Sequence, residues 1–285
     1  MLWLSIALVL FSAGLHASWN LIVKSEEDKL ISAWLTVAAS PLLLWPYLVL
    51  QGLPPANVWP IFLVSGCVHA AYNLALVRAY EHGDLSVVYP IARGLAPVLV
   101  ALVAPIALSE RLTALSLVAI CVVGGGIGWL GLSARKGPAQ RQALGWAFAT
   151  AACIATYSMV DKLGVLNADP VAYIILLFAW NAIILTIYVV AHRELSTIGA
   201  VCRRRAAPLV FSGLCSLVAY LLVLFAMRYT QVAYVAALRE SSVVIAALLG
   251  WRVLREPFGG RRIAAALLVG AGLILLVLTM VNTGR

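Results

Sequence analysis

Charge is the first thing this chain lacks. Asp, Glu, Lys and Arg make up 11% of its 285 residues, against 64% apolar residues. Soluble domains carry roughly 25% charged residues, so this chain could not cover a water-facing surface. That excludes a soluble enzyme or binding module and leaves a polytopic helical membrane protein. Acids are scarcer still: 11 against 20 bases, for a net charge of +9. The Lys and Arg lie in short gaps between apolar runs, which is the membrane pattern, so no nucleic-acid partner is expected. The five cysteines (67, 121, 153, 202, 215) form no CxxC pair and mostly lie inside apolar runs. They read as small packing residues, not as a disulfide or zinc framework. Catalytic signatures are also missing: there is no HExxH, no GxSxG, no Walker loop and no GxGxxG ahead of a helix. An enzyme is therefore not expected, and neither is a cofactor or a metal. An enzyme acting on lipid would need a nucleophile–base or metal cluster at one interface, which the scattered His16, His69, His82 and His192 do not suggest. Without an ATP site, transport would run on a gradient or by exchange.

What the chain does have is apolar length. A span needs about 20 apolar residues, and ten stretches qualify: Leu2–Val23, Leu30–Leu50, Val58–Tyr80, Ser86–Leu108, Leu112–Leu132, Ala143–Leu163, Pro170–Ala191, Ala207–Met227, Val232–Val253 and Arg262–Met280. The gaps are short, so consecutive spans are expected to be antiparallel neighbours. The first span resembles a signal peptide in length but lacks a basic n-region, and it has a later counterpart.

The chain also repeats itself. RGLAPVLVALVAPIALSE (93–110) falls on RESSVVIAALLGWRVLRE (239–256) at a shift of 146, which lays Arg93 on Arg239 and Glu110 on Glu256. AGLHASWNLIVK (13–24) falls on AACIATYSMVDK (151–162), and SGCVHAAYNLALVRAY (65–80) on SGLCSLVAYLLVLFAM (212–227). Spans 1, 3, 4 and 5 thus pair with spans 6, 8, 9 and 10, and spans 2 and 7 pair by position only. Internal repeats of this kind decide the fold. Five spans per half is an odd number, so the second half enters the membrane from the opposite side. The expectation is an all-α membrane protein of ten transmembrane helices in two inverted five-helix repeats, 1–133 and 143–285, joined by a linker at 134–142. The substrate site is expected near the midplane between the halves.

Charge also sets an orientation. Most Lys and Arg fall in the odd-numbered gaps, and the even-numbered gaps hold only Arg111, Lys162 and Arg228. Positive residues stay cytoplasmic, which places both termini outside.

An ionisable group at the centre of a span costs about 2.5–3.5 kcal/mol and needs a reason. Arg93 and Arg239 each lie some seven residues into their spans, roughly 10 Å below the helix start. Facing one cavity, they could grip a carboxylate or phosphate bidentately. The alternative is that each snorkels or pairs with a neighbour such as Glu240. Glu240 would pair across to another helix or take a coupling proton. Glu110 and Glu256 read as ion pairs or caps of the following helix, or as a gate at the mouth of the pathway. His16, Trp19 and Asn20 share one face of span 1, and His69, Tyr72 and Asn73 repeat the spacing in span 3. Such stripes face protein or a watery cavity, not lipid, and either His could carry a proton. Gly124 and Gly128 form a GxxxG for close helix approach. Pro90, Pro97 and Pro105 are expected to break span 4 into segments, as suits a cavity wall.

Two five-helix halves, each with an acid at the end of the fourth helix (SER at 109–111, REP at 255–257) and a glycine-containing last helix, resemble the EamA-type branch of the drug/metabolite transporter superfamily. HASWNLIVK (16–24) is similar to a subgroup associated with phosphonate-utilisation loci. The resemblance implies ten helices, alternating access and a multi-pass location in a cell membrane, such as a bacterial inner membrane. It also implies substrates among amino acids, sugars, nucleotide sugars, drugs or phosphorylated metabolites. In phosphate-translocating relatives, basic residues of the fourth and ninth helices hold the anion, the helices that carry Arg93 and Arg239 here. Family members are usually drawn with both termini cytoplasmic, opposite to the charge count. The expected function is secondary transport of a small anionic or zwitterionic metabolite, such as an organic acid, phosphonate or phosphorylated compound. The alternative is export of amino acids or cationic drugs, with Glu240 as the key charge. Expected partners are a small-molecule substrate, membrane lipid and a coupling proton or exchanged solute, in a monomer or homodimer.

Overall fold

The computed structural model describes residues 1–24, 26–82, 85–131, 138–245 and 260–283. Regular structure among them is helical throughout, as a bilayer requires of an open chain whose backbone groups must all find internal partners. The α-helices are α1 Leu2–Lys24, α2 Lys29–Gln51, α3 Trp59–His82 (after a 3₁₀ turn, Ala56–Val58), α4 Leu85–Ala107, α5 Ala114–Gly131, α6 Pro138–Asn167, α7 Pro170–His192, α8 Leu195–Tyr229, α9 Val232–Arg239 and α10 Gly260–Thr283. Among the described residues, seven helices are long and apolar enough to cross a membrane, and α4 and α5 carry shorter apolar stretches, Ile91–Ala107 and Ala114–Trp129.

Helix α8 has 35 residues, about 50 Å at 1.5 Å per residue. That exceeds a hydrocarbon core of about 30 Å, so its basic beginning, with Arg203, Arg204 and Arg205, extends past the apolar part. Large apolar side chains such as Leu50, Ile106 and Phe11 lie on the outside, where the solvent is lipid. Inside, α3 packs on α6 and α1 on α8, α2 packs on α7 and α8, α3 on α7, and α5 on α4 and α10.

Helices α2 and α7 mirror each other. Both have 23 residues, and each starts from an Asp cap. The Asp28 carboxylate accepts from the N–H groups of Leu30 and Ile31, and Asp169 from Val171 and Ala172, satisfying donors that a helix start leaves open. Each cap also meets the far end of the other helix: Arg193 donates to Asp28 at 2.7 Å, and the Tyr47 hydroxyl to Asp169 at 3.1 Å. The two helices therefore run antiparallel.

Two expectations need correcting. Span 4, despite Pro90, Pro97 and Pro105, forms one uninterrupted helix, α4. The break falls in span 9, which has no proline in its described part. Helix α9 ends at Arg239, Glu240 is a turn, and residues 241–245 are helical again. Around that turn the bonds shorten to the i→i+3 kind: Glu240 N–H to Ala237 at 3.1 Å and Val243 N–H to Glu240 at 3.0 Å. Such a tight stretch within a helix commonly marks a functional hinge. The GxxxG is corrected too. A Cβ on Gly124 would come within 2.6 Å of the Gly94 carbonyl oxygen, whereas one on Gly128 would meet open space. The close approach of α4 and α5 rests on Gly94 and Gly124.

Candidate functional site

The pinch in α9 delivers two charges to the interior. Glu240 is 2% exposed, and its Oε1 pairs with Nη2 of Arg93 at 3.0 Å; Arg93 itself is 3% exposed. The paired reading of Arg93 thus holds, across helices α4 and α9. Arg239 is 7% exposed and makes no ion pair among the described residues. Its guanidinium instead lies over the Tyr220 ring, 5.2 Å from the centroid, a cation–π contact worth about 2 kcal/mol when desolvated. Oε2 of Glu240 is buried with no hydrogen-bond partner among the described residues. A buried unsatisfied charged oxygen is costly, and it is the place where an incoming donor gains most.

A second carboxylate lies below Tyr220. Asp161 on α6 is fully buried. Its Oδ1 accepts from the hydroxyls of Ser65 (α3) and Tyr173 (α7), the latter at 2.7 Å, and its Oδ2 accepts from the Tyr220 hydroxyl. Nε2 of His69 lies 3.9 Å from Oδ2. Sequence reasoning missed Asp161. It falls two residues before the expected end of span 6, where a carboxylate beside Lys162 looks like part of a loop. The signal was present, since an acid inside an apolar run needs a reason. Helix α6 runs on to Asn167, which puts Asp161 about 9 Å inside the helix end.

The expected polar stripes divide. His69 is buried and stacks on Tyr157 at 4.0 Å, and Tyr72 meets the same ring edge-on at 5.8 Å. Asn73 donates to the His69 carbonyl of its own helix at 2.8 Å. His16 lies near both Arg93 and Arg239 and accepts from the Trp19 indole at 3.2 Å. The side chain of Asn20 and the whole of Glu256 lie outside the described residues. Arg78 pairs with Glu81 at 3.1 Å on the surface.

Glu110 does cap a helix, but not the following one. Ser109 adopts a left-handed conformation, φ 54°, at the end of α4. This turns the next side chain across to α9, where the Glu110 carboxylate accepts from Val232 N–H at 2.7 Å and Ala233 N–H at 3.5 Å. Burial pushes its carboxyl above the usual glutamate range, against the pull of those N–H groups and of Lys162. Lys162 donates to the last carbonyls of α8, Met227 and Thr230. The α8–α9 turn is thus held from both sides by charges on α4–α5 and α6. A cavity of about 510 Å³ opens here, lined by Glu110, Arg111, Lys162, Leu163 and Gln231 among others. It lies at one face of the bundle, not at the charge cluster.

An all-helical bundle of membrane-spanning length, with cations and carboxylates folded into its centre, defines a polytopic membrane protein with a polar interior. Residues 141–278, from α6 into α10, match the EamA-like transporter family. The second half of the chain is thus similar to EamA-like transporters, consistent with an EamA-type protein of the drug/metabolite transporter superfamily. Twenty-nine chains of solved structures match it. One, described only as "Crystal structure of protein", has a TM-score of 0.76 at 15% identity, covering 96% of this chain and 98% of its own. That likeness is one of fold. No curated protein sequence matches.

Proposed function

We propose that the chain is a secondary transporter of a small anionic or zwitterionic metabolite, working by alternating access between two inverted five-helix halves. The observation that carries this reading is the broken end of α9. It presents a buried Arg239 without an ion-pair partner among the described residues next to a Glu240 oxygen without a donor. A carboxylate or phosphonate group would give Arg239 a bidentate partner. An ammonium group on the same molecule would satisfy Glu240. Broken helices that aim charges at the substrate are a recurring device of such carriers.

Three features support the inverted arrangement. Helices α3–α6 and α8–α1 are the same contact written from either half, as are α2–α8 and α7–α3. The mutual capping of α2 and α7 is what a two-fold axis between them would produce. The linker expected at 134–142 would then join the halves at 1–133 and 143–285.

The second reading, export of amino acids or cationic drugs, draws on Glu240 alone, since its free oxygen would also receive a cation. Flux into proteoliposomes separates the two. Arg239→Ala and Arg93→Ala should abolish anion uptake, whereas Glu240→Gln should abolish movement of cations. Undiminished anion uptake in both Arg variants removes the leading reading.

A further inference from the structure

We propose that Asp161 and His69 form a proton-carrying site whose protonation is read by Tyr220 and passed to Arg239. The proposal deepens the transport reading, because it rests on Arg239 being the substrate's cation. Its starting point is a carboxylate fully buried among three hydroxyl donors from three different helices, Ser65 on α3, Tyr173 on α7 and Tyr220 on α8. An ionised carboxylate only accepts, so all three hydroxyls can point at it together. They hold it as an anion in a place where a lone charge would be prohibitive.

The neighbouring imidazole is oriented for exchange. Nδ1 of His69 lies 3.0 Å from the Ser65 carbonyl oxygen. A carbonyl can only accept, so Nδ1 carries a proton in that contact. In neutral His69 the lone pair is therefore on Nε2, the nitrogen that faces Asp161 Oδ2 at 3.9 Å. A proton arriving from water binds Nε2 and makes an imidazolium. As the ring closes on the carboxylate, the proton passes to Oδ2, leaving a neutral imidazole and a neutral carboxylic acid. Only N–H and O–H bonds change.

Oδ2 is the oxygen that Tyr220 also uses. Once it carries the proton, its capacity to accept from Tyr220 falls, and the phenol must turn or find another acceptor. The Tyr220 ring lies under the Arg239 guanidinium, so movement of the ring changes the seat of that cation. The other charged or titratable groups facing the pair are Tyr157 on α6 itself, stacked on His69, and Arg93 on α4 and Arg239 on α9, both of which act on Tyr157. Glu240 stands beyond them, paired to Arg93. Lys162 is turned away to the end of α8.

The test is an infrared pH titration of the full chain in liposomes with no substrate added. Its outcome is therefore independent of whether Arg239 binds an anion. Wild type should show the C=O stretch of a protonated carboxylic acid rising as pH falls, together with a tyrosine C–O shift at the same midpoint. Asp161→Asn should remove the tyrosine signal and the one carboxylic-acid component that shares its midpoint, leaving the bands of the other Asp and Glu residues, and Tyr220→Phe should remove the tyrosine signal alone. His69→Gln should move the midpoint by about tenfold in proton concentration, one pH unit. A wild-type-minus-Asp161→Asn difference spectrum with no carboxylic-acid component at the tyrosine midpoint, or a midpoint unmoved in His69→Gln, would overturn the proposal. If Asp161→Asn fails to fold, the His69 and Tyr220 variants still decide it.

Discussion

Helices α4 and α9 occupy matching places in the two halves of the sequence, and they differ in an instructive way. Helix α4 carries three prolines and runs unbroken over 23 residues; α9 has none and stops after eight. Both carry an Arg at the repeated position. The next residue is Gly94 in one and Glu240 in the other. Gly94 lets α4 lie directly on Gly124 of α5, so its helix is supported along a neighbouring backbone. Glu240 cannot approach a backbone in that way and instead turns inward to the Arg of the other copy. A single position thus gives the first half a packed wall and the second a hinge with a charge.

The sharpest way to break this contrast is to remove one partner of the ion pair. Arg93→Ala or Glu240→Ala should each cost about 3–5 kcal/mol, because the remaining charge is left buried. The double change Arg93→Met with Glu240→Leu should recover most of the loss. Thermal unfolding in detergent, arranged as a double-mutant cycle, measures it. If the single changes cost nothing, α9 is not held by this pair.

Next comes the wall. Gly124→Ala should cost about 1–3 kcal/mol by forcing α4 and α5 apart. Gly128→Ala, on the same helix but in open space, should be neutral in the same melts.

Much of this layout was legible in the sequence. Apolar runs disclosed the spans, and Arg93, Arg239 and Glu240 stood out as ions with no business in lipid. What was not legible has physical causes. A membrane helix tolerates proline when neighbours satisfy the freed carbonyls, so three prolines did not break α4. The α2–α7 match survives in two Asp caps and equal lengths rather than in side chains. Asp161 was hidden because helices outrun their apolar stretches, which made an interior acid look like a loop residue.

Smaller effects sharpen the comparison of the two starts. Glu110→Gln removes a charged cap from α9 and should cost about 0.5–2 kcal/mol. Its carboxyl is raised by burial, so the folded state favours the protonated form. The advantage of wild type over the Gln variant should be greatest at low pH and shrink as pH rises through the raised value. Asp28 behaves in the opposite way. Burial opposes its charge, but the Ile31 N–H, with Arg193, outweighs it and holds the carboxyl below the usual range. The stability it contributes should be present above the ordinary Asp value and disappear as pH falls through the depressed one. Melting of Asp28→Asn against pH reads this, and a flat difference would contradict it.

Arg239 is proposed to receive the substrate's anionic group, because the pairing of Glu240 with Arg93 leaves it without an ion-pair partner among the described residues. The most direct test is equilibrium binding of a panel of small carboxylates, phosphonates and amino acids to wild type and Arg239→Gln, followed by intrinsic tryptophan fluorescence. Wild type should bind at least one anionic or zwitterionic compound saturably, and the variant at least tenfold more weakly. Equal affinity in both proteins would contradict it.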